Sequence, residues 1–190
     1  MYQVGYMRQH ALKIFQAALS AVDPVEAILR YVKKVEEGLQ IGEYRFAFKD
    51  YDRILIIGAG KASAPMAKAL EHIIGDQITD GVIVVKEDHG LPLKHVQIHE
   101  AGHPIPDERG VKGTNEILSL VDGAGEHDLV ICLISGGGSA LLVAPAEGIN
   151  LEDKQKVTQF LLGCGADIHE INTIRKHLSC IKGGGMARCA

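Results

Sequence analysis

Three stretches of this sequence combine glycine with groups able to hold an anion. The first, Ile57-Gly58-Ala59-Gly60-Lys61-Ala62-Ser63, follows a continuous apolar run and sets a lysine where a strand should turn into a helix. Backbone N–H groups and the helix dipole favour an anion at such a turn. A cation alone at the positive end of a helix is unfavourable, so an anionic partner accounts for Lys61; a solvated lysine on an ordinary first turn is the alternative. The second stretch, Ser135-Gly136-Gly137-Gly138-Ser139, offers bare backbone N–H groups and two hydroxyls that could cradle a phosphate, a phosphosugar or a carboxylate. A simple turn that packs Ala140-Leu141-Leu142 on a core would not need three glycines, each costing roughly 1 kcal/mol of conformational freedom. The third runs from Asn172-Thr173-Ile174-Arg175-Lys176-His177 to Lys182-Gly183-Gly184-Gly185. If one helix carries both Arg175 and Lys182, their separation of two turns points both cations the same way; a solvated basic face is the alternative.

The first loop is neither of the two familiar nucleotide motifs. Ser63 stands where the dinucleotide fingerprint needs a third glycine or alanine, and Leu55 and Ala62 occupy the first glycine and the Ser/Thr position of a Walker A loop. A second segment, Gly102-His103-Pro104-Ile105-Pro106-Asp107, has its path fixed by two prolines. His103 and Asp107 could touch a ligand there, or Asp107 could cap the next helix while His103 is a hydrogen-bonded loop residue. The remaining histidines and the cysteines Cys132, Cys164, Cys180 and Cys189 lack metal-ligand spacing, so no metal ligands are assigned and no structural zinc is expected.

The elements that must position these loops alternate. Apolar residues at helical spacing run from His10 to Lys34 and divide at Asp23-Pro24, where Asp suits the N-cap and Pro the first helical position. Strands are predicted over Arg53 to Ile57, Gly81 to Val85, His95 to His99 and Leu129 to Ile134. Helices are predicted over Lys61 to Ile74, about Glu108 to Val121, about Leu151 to Leu162 and around Ile168 to Ile181. Continuous apolar strands alternating with helices define an α/β, three-layer α/β/α, Rossmann-like fold with a mostly parallel sheet. Residues 1–49 are expected to form an amino-terminal helical arm packing on the main domain, and 50–190 the main domain itself. Such sheets bind ligands beyond the carboxyl ends of their strands, so the Gly58 and Ser135 loops should share one edge.

Composition narrows the classes. Of 190 residues, 46% are apolar and 23% charged, as in a globular domain, and the net charge of −4 gives no broad attraction to nucleic acid. No stretch reaches the roughly 20 apolar residues of a membrane span, and Met1 to His10 lacks the apolar core of a signal peptide. The expectation is a cytoplasmic protein with reduced thiols, without nucleic-acid or membrane partners.

Taken in order, the Gly58–Ser63 loop, the Gly102–Asp107 segment, Leu133-Ile134 with the Ser135–Ser139 loop and Ala140-Leu141-Leu142, Glu170-Ile171-Asn172-Thr173-Ile174-Arg175-Lys176-His177-Leu178-Ser179, and Lys182-Gly183-Gly184-Gly185 resemble the motifs of class II glycerate kinases, two-domain enzymes with a carboxy-terminal MOFRL domain. Any single glycine loop is nonspecific; the order of the motifs makes the match. The resemblance implies transfer of the γ-phosphate of ATP, with magnesium, to the 2-hydroxyl of D-glycerate in a cleft between two domains. It implies that Lys61 is the catalytic lysine on the transferred phosphate. Gly58, Gly60, Ser135, Gly136, Gly137, Gly138, Ser139, Asn172, Arg175 and Lys182 would then line the substrate and nucleotide site. It further implies a chain cut short before the MOFRL domain, with little activity of its own and apolar surface that could drive homodimerisation. Members of this family have also been labelled hydroxypyruvate reductases, but Val84-Val85-Lys86 ends the second strand without the acidic ribose partner of an NAD site.

Overall fold

A computed structural model describes residues 2–189; Met1 and Ala190 lie outside the described residues. Two helices, α1 (Tyr2–Ala21) and α2 (Pro24–Tyr31), open the chain. Asp23 starts α2 as its composition suggests, its carboxylate accepting hydrogen bonds from the N–H groups of Val25 (2.9 Å) and Glu26 (3.0 Å). The cap turns the chain, and α2 lies on a later helix while α1 stands clear. Leu12, Ile14, Phe15 and Leu19 are 50–70% exposed. The expected packing of the arm on the main domain is therefore corrected for α1.

The helical reading of Val32 to Lys34 is also corrected. Val32 leaves α2 in extended conformation and begins a three-stranded antiparallel meander, β1 (Val32–Val35), β2 (Gly38–Ile41) and β3 (Tyr44–Ala47). Apolar spacing in α2 continues in phase as far as Val32, which hides the change, but the two-residue loops Glu36-Glu37 and Gly42-Glu43 are hairpin connections. Gly42, at φ 61°, adopts the left-handed conformation that such a turn favours. Buried Val32 and Leu39 join the main core.

The principal sheet holds β4 (Arg53–Ala59), β5 (Asp80–Lys86), β6 (Gln97–Ala101) and β7 (Asp128–Ile134) in the order β6-β5-β4-β7, all parallel. Alternate residues divide its two faces. Ile54, Ile56, Ile83 and Val85 meet α3 (Ser63–Ile74), while Ile57, Ala59, Val82 and Val84 meet α4 (Glu108–Asp122). These three layers are the expected α/β/α arrangement, because continuous apolar strands must be covered on both faces. Arg53 and Asp128 fix the start of the β4–β7 register through two hydrogen bonds of 3.0 and 2.6 Å, and the guanidinium holds the Asp128 carboxyl below its usual range. The chain then passes through α5 (Gly138–Leu141), α6 (Leu151–Gly163), α7 (Ile168–His177) and α8 (Gly185–Cys189). Among the described residues, no helix is long and apolar enough to cross a membrane.

Gly58 shows how tightly β4 and β7 approach: a Cβ at this position would meet the Leu133 carbonyl oxygen. Replacing Gly58 with alanine should destabilise the fold by about 3 kcal/mol, the upper range for overpacking, because backbone cannot move aside as a side chain can. Urea denaturation followed by circular dichroism checks it; an unchanged midpoint would show that the strands separate at little cost.

Candidate active site

Because β4 pairs with β7 to their last residues, Ala59 beside Ile134, the two glycine loops leave one sheet edge together. They are tied to each other. Lys61 N–H donates to the Gly136 carbonyl (2.9 Å), Ala62 N–H to Ser135 Oγ (2.9 Å), and buried Ser63 Oγ to the Leu133 carbonyl (3.0 Å). Ser63, the residue that spoils the dinucleotide fingerprint, thus anchors the first loop to β7.

The glycines of the two loops have different tasks. Gly58 and Gly60 are buried, and the space left by their missing side chains is filled by Leu133 and Ser135. Gly137, at φ 95°, lies between Lys61 and His103; its absent Cβ would stand 3.2 Å from His103 Nε2 and 3.3 Å from Lys61 Cγ. Gly138 is pressed against the Ala59 carbonyl. Gly136 is open, and within the described residues no hydrogen bond engages the N–H of Gly136 or Gly137.

On one side of this loop is a cavity of about 610 Å³. Ser135, Gly137, Gly138 and Ser139 form one wall; Asn172, Thr173 and Arg175 of α7 face them, and Lys182 and Gly183 close a third side. Arg175 donates to the Ser139 carbonyl (3.0 Å) and Lys182 Nζ to the Leu142 carbonyl (3.3 Å). The two cations converge by a route other than the expected one. α7 ends at His177, so helical periodicity does not relate them. Instead the chain folds back through an antiparallel bridge between Pro145 and Ser179, supported by the Ser179 hydroxyl on the Ala144 carbonyl (3.0 Å). Burial lowers the pKa of Arg175 from its usual value, and burial together with Arg175 and Lys154 lowers Lys182 to about 8.

Lys61 does not line this cavity. Its Cγ lies close to Gly137, beside His103. Burial, followed by the charges of Lys61, Lys86 and His89, lowers the His103 pKa and favours the neutral imidazole. Cationic groups therefore stand near the loop both within the cavity and, with Lys61, outside its lining.

Asp107 takes the capping role. Its carboxylate accepts from Gly110 N–H (3.0 Å) at the start of α4, from Gly102 N–H (3.0 Å) and from Arg109 Nε (2.8 Å). Burial alone would raise its pKa, but the Gly110, Arg109 and Gly102 donors together hold it below the usual range. The stabilisation from this depressed pKa is present at neutral pH and is lost as pH falls through the folded-state pKa. Replacing Asp107 with alanine should lower stability by about 1 to 2 kcal/mol at pH 7 and by less in acid, as read from denaturation midpoints. An equal loss at every pH would show that the carboxylate charge is not what matters.

Sequence reasoning passed over Lys154. It sits on α6 and is only 8% exposed, and its Nζ donates to the Leu178 carbonyl (2.9 Å) at the end of α7. The available signal was positional: Leu151, Lys154, Thr158 and Leu161 share one helical stripe, where a lysine is out of place.

An open parallel sheet with two interlocked glycine loops at its carboxyl edge, beside a cavity whose cations form no ion pair among the described residues, defines this α/β domain. Residues 10–190 match the family model described as a domain of unknown function, DUF4147, and the chain belongs to this family. It is 44% identical over 182 residues to a glycerate 2-kinase of Pyrococcus horikoshii, covering 96% of this chain and 40% of the relative. It is 40% identical over 188 residues to a D-glycerate 2-kinase of Thermotoga maritima, covering 98% of this chain and 42% of the relative. A relative from Agrobacterium vitis, 43% identical over 96% of this chain and 39% of its own length, is provisionally named a hydroxypyruvate reductase. The fold superposes on a solved Pyrococcus horikoshii protein with a TM-score of 0.86 at 44% identity, covering 96% of this chain and 41% of that one. For a solved Thermotoga maritima glycerate kinase the TM-score is 0.80 at 40% identity, covering 97% and 41%. The chain thus spans about 40% of the length of these relatives.

Proposed function

We propose that this domain carries the phosphate-handling half of an ATP-dependent glycerate 2-kinase, which phosphorylates D-glycerate at its 2-hydroxyl. The observation that carries the reading is the ridge formed by the Gly58–Lys61 and Ser135–Ser139 loops, where among the described residues the Gly136 and Gly137 N–H groups have no partner and where Lys61, Arg175 and Lys182 stand nearby. Phosphoryl transfer depends mainly on positioning and on compensating charge spread over the phosphoryl oxygens, and a ridge of this kind supplies both. The hydroxyl oxygen of glycerate forms a bond to the γ-phosphorus, the bond to the ADP oxygen breaks, and the hydroxyl proton passes to solvent water. Lys61 meets the charge of the transferred group from one flank. Ser135, Ser139 and the Gly136 and Gly137 N–H groups hold oxygens at the crest, while Asn172, Arg175 and Lys182 hold the anionic end of a substrate in the cavity.

Magnesium is the usual companion of ATP in such reactions, but the residues present do not form a site for it. The cavity lining contains no carboxylate, and among the described residues no three His, Cys, Asp or Glu side chains are grouped to hold a metal. The protein acts in the cytoplasm, with ATP and D-glycerate as its small-molecule partners.

The full-length protein incubated with ATP, magnesium and D-glycerate should release ADP, and phosphorus NMR should show phosphate on the 2-oxygen. Phosphorylation at the 3-oxygen, or NADH oxidation with hydroxypyruvate in place of ADP release, would overturn the reading.

A further inference from the structure

Three cations meet behind the Ser135–Ser139 loop without a carboxylate among them. Lys154 donates to the Leu178 carbonyl, Arg175 to the Ser139 carbonyl and Lys182 to the Leu142 carbonyl. All three acceptors are neutral, and no ion pair within the described residues includes any of the three cations. Arg175 and Lys182 reach the 610 Å³ cavity, whereas Lys154 lies one layer deeper, against Arg175, Leu178 and Lys182. Burying like charges together without a counter-charge is strongly unfavourable unless something else offsets it.

We propose that Lys154, Arg175 and Lys182 form a single oxyanion corner, in which Arg175 and Lys182 touch the ligand and Lys154 is a positioning residue that holds the end of α7 and supplies a third charge from behind. The inference rests on the cavity used in the proposed function and extends that site to α6. The occupant is a carboxylate or phosphoryl group, which share the chemistry of compact oxygen acceptors able to take several charged donors at once. Lys154 suits its place in two ways. It binds a carbonyl at the carboxyl end of α7, where the helix dipole favours a cation, and its apolar stem fills the α6 stripe.

The arrangement couples binding to protonation. Other charged groups around Lys182 are Arg175, Lys176 and His169 of α7, Lys154 of α6, and Arg188 of α8, which lies against Gly184. Burial first, then Arg175 and Lys154, bring Lys182 to about 8, so part of the free protein has lost this proton at mildly alkaline pH. An anion in the corner restores the ordinary preference for the ammonium. Binding therefore takes up a proton as pH rises through 8, and affinity falls over the same interval.

Sulfate is a suitable probe because its charge does not change over this range. Calorimetric titration of the chain should show sulfate affinity falling about tenfold between pH 7 and pH 9, with proton uptake visible as a dependence on buffer ionisation heat. Replacing Lys182 with arginine keeps a permanent cation, so binding should persist and the pH dependence should flatten. If His169 were the titrating group, that variant would leave the profile unchanged. Replacing Lys154 with methionine should weaken sulfate about tenfold and move the midpoint of the profile to higher pH, because one of the charges that lower Lys182 is gone. A merely structural role for Lys154 would weaken binding without moving the midpoint. Competition by D-glycerate or by inorganic pyrophosphate then tells a carboxylate occupant from a phosphoryl one.

Failure of sulfate to bind at pH 7, a Lys182→Arg profile like that of the parent, or an unmoved midpoint in Lys154→Met overturns the corner, whatever the kinase assay returns. A protein that shows all three behaviours but turns over no glycerate keeps the corner and loses the proposed function.

Discussion

Replacing Lys61 with alanine should lower kcat of the full-length protein by a factor of about 10² to 10³ while leaving its stability close to that of the parent. The two halves of this expectation come from different atoms of the same residue. The backbone N–H of Lys61 ties the first loop to the Gly136 carbonyl, and alanine keeps that bond. The side chain is exposed, with its Cγ near Gly137, so its removal leaves no buried gap. What is lost is a cation beside the loop crest, where charge on the phosphoryl oxygens is greatest in the transition state. An interaction made mainly there appears in kcat and kcat/KM alike, with KM for glycerate little changed. Steady-state kinetics of the purified variant, with its denaturation midpoint measured alongside, supply both readings. Near-normal turnover would remove Lys61 from the mechanism, whereas a large fall in stability would show that the residue acts through the fold.

Lys61 also illustrates how much of the molecule was legible from sequence. The runs Arg53–Ile57 and Leu129–Ile134 read as buried strands because they are continuously apolar and end in glycine, and their loops do share an edge. This information is local, and the rule that parallel sheets bind at their carboxyl ends carries it to the site. The meander of Val32 to Ala47 was missed for an equally local reason, since Val25, Ile28, Leu29 and Val32 keep helical phase across a boundary set by hairpin loops beyond them. Arg175 and Lys182 were paired for the wrong reason. A seven-residue spacing suggests two turns of helix, yet α7 stops at His177 and the bridge between Pro145 and Ser179 returns Lys182 to the cavity. Long-range pairing of this kind leaves no periodic trace. Lys154 and the position of His103 beside Lys61 depend likewise on which elements pack together, and only the stripe position of Lys154 hinted at its burial.

The 190 residues alone should show little or no glycerate kinase activity, even with the sheet folded and the corner able to bind an anion. The chain matches about 40% of the length of its relatives, and its cavity opens to solvent. β7 is the edge strand on the side of the cavity, and its last residue, Ile134, lines that cavity while remaining 52% exposed. Apolar surface beside a phosphate site is ordinarily covered during the reaction, because excluding water strengthens every electrostatic interaction inside. Without cover, Lys61 acts through solvent, and a cation that would contribute several kcal/mol in an enclosed site contributes far less. Groups that act as a unit are not additive, so losing the enclosure removes most of the rate enhancement at once rather than a share of it. The exposed stripe of Leu12, Phe15 and Leu19 on α1 adds a second consequence, a tendency of the isolated chain to self-associate. The measurement is ADP release from monodisperse 190-residue protein with ATP, D-glycerate and magnesium, with light scattering to confirm the monodispersity. Turnover within tenfold of an ordinary enzyme's roughly 10 per second would show that these residues enclose a working site by themselves.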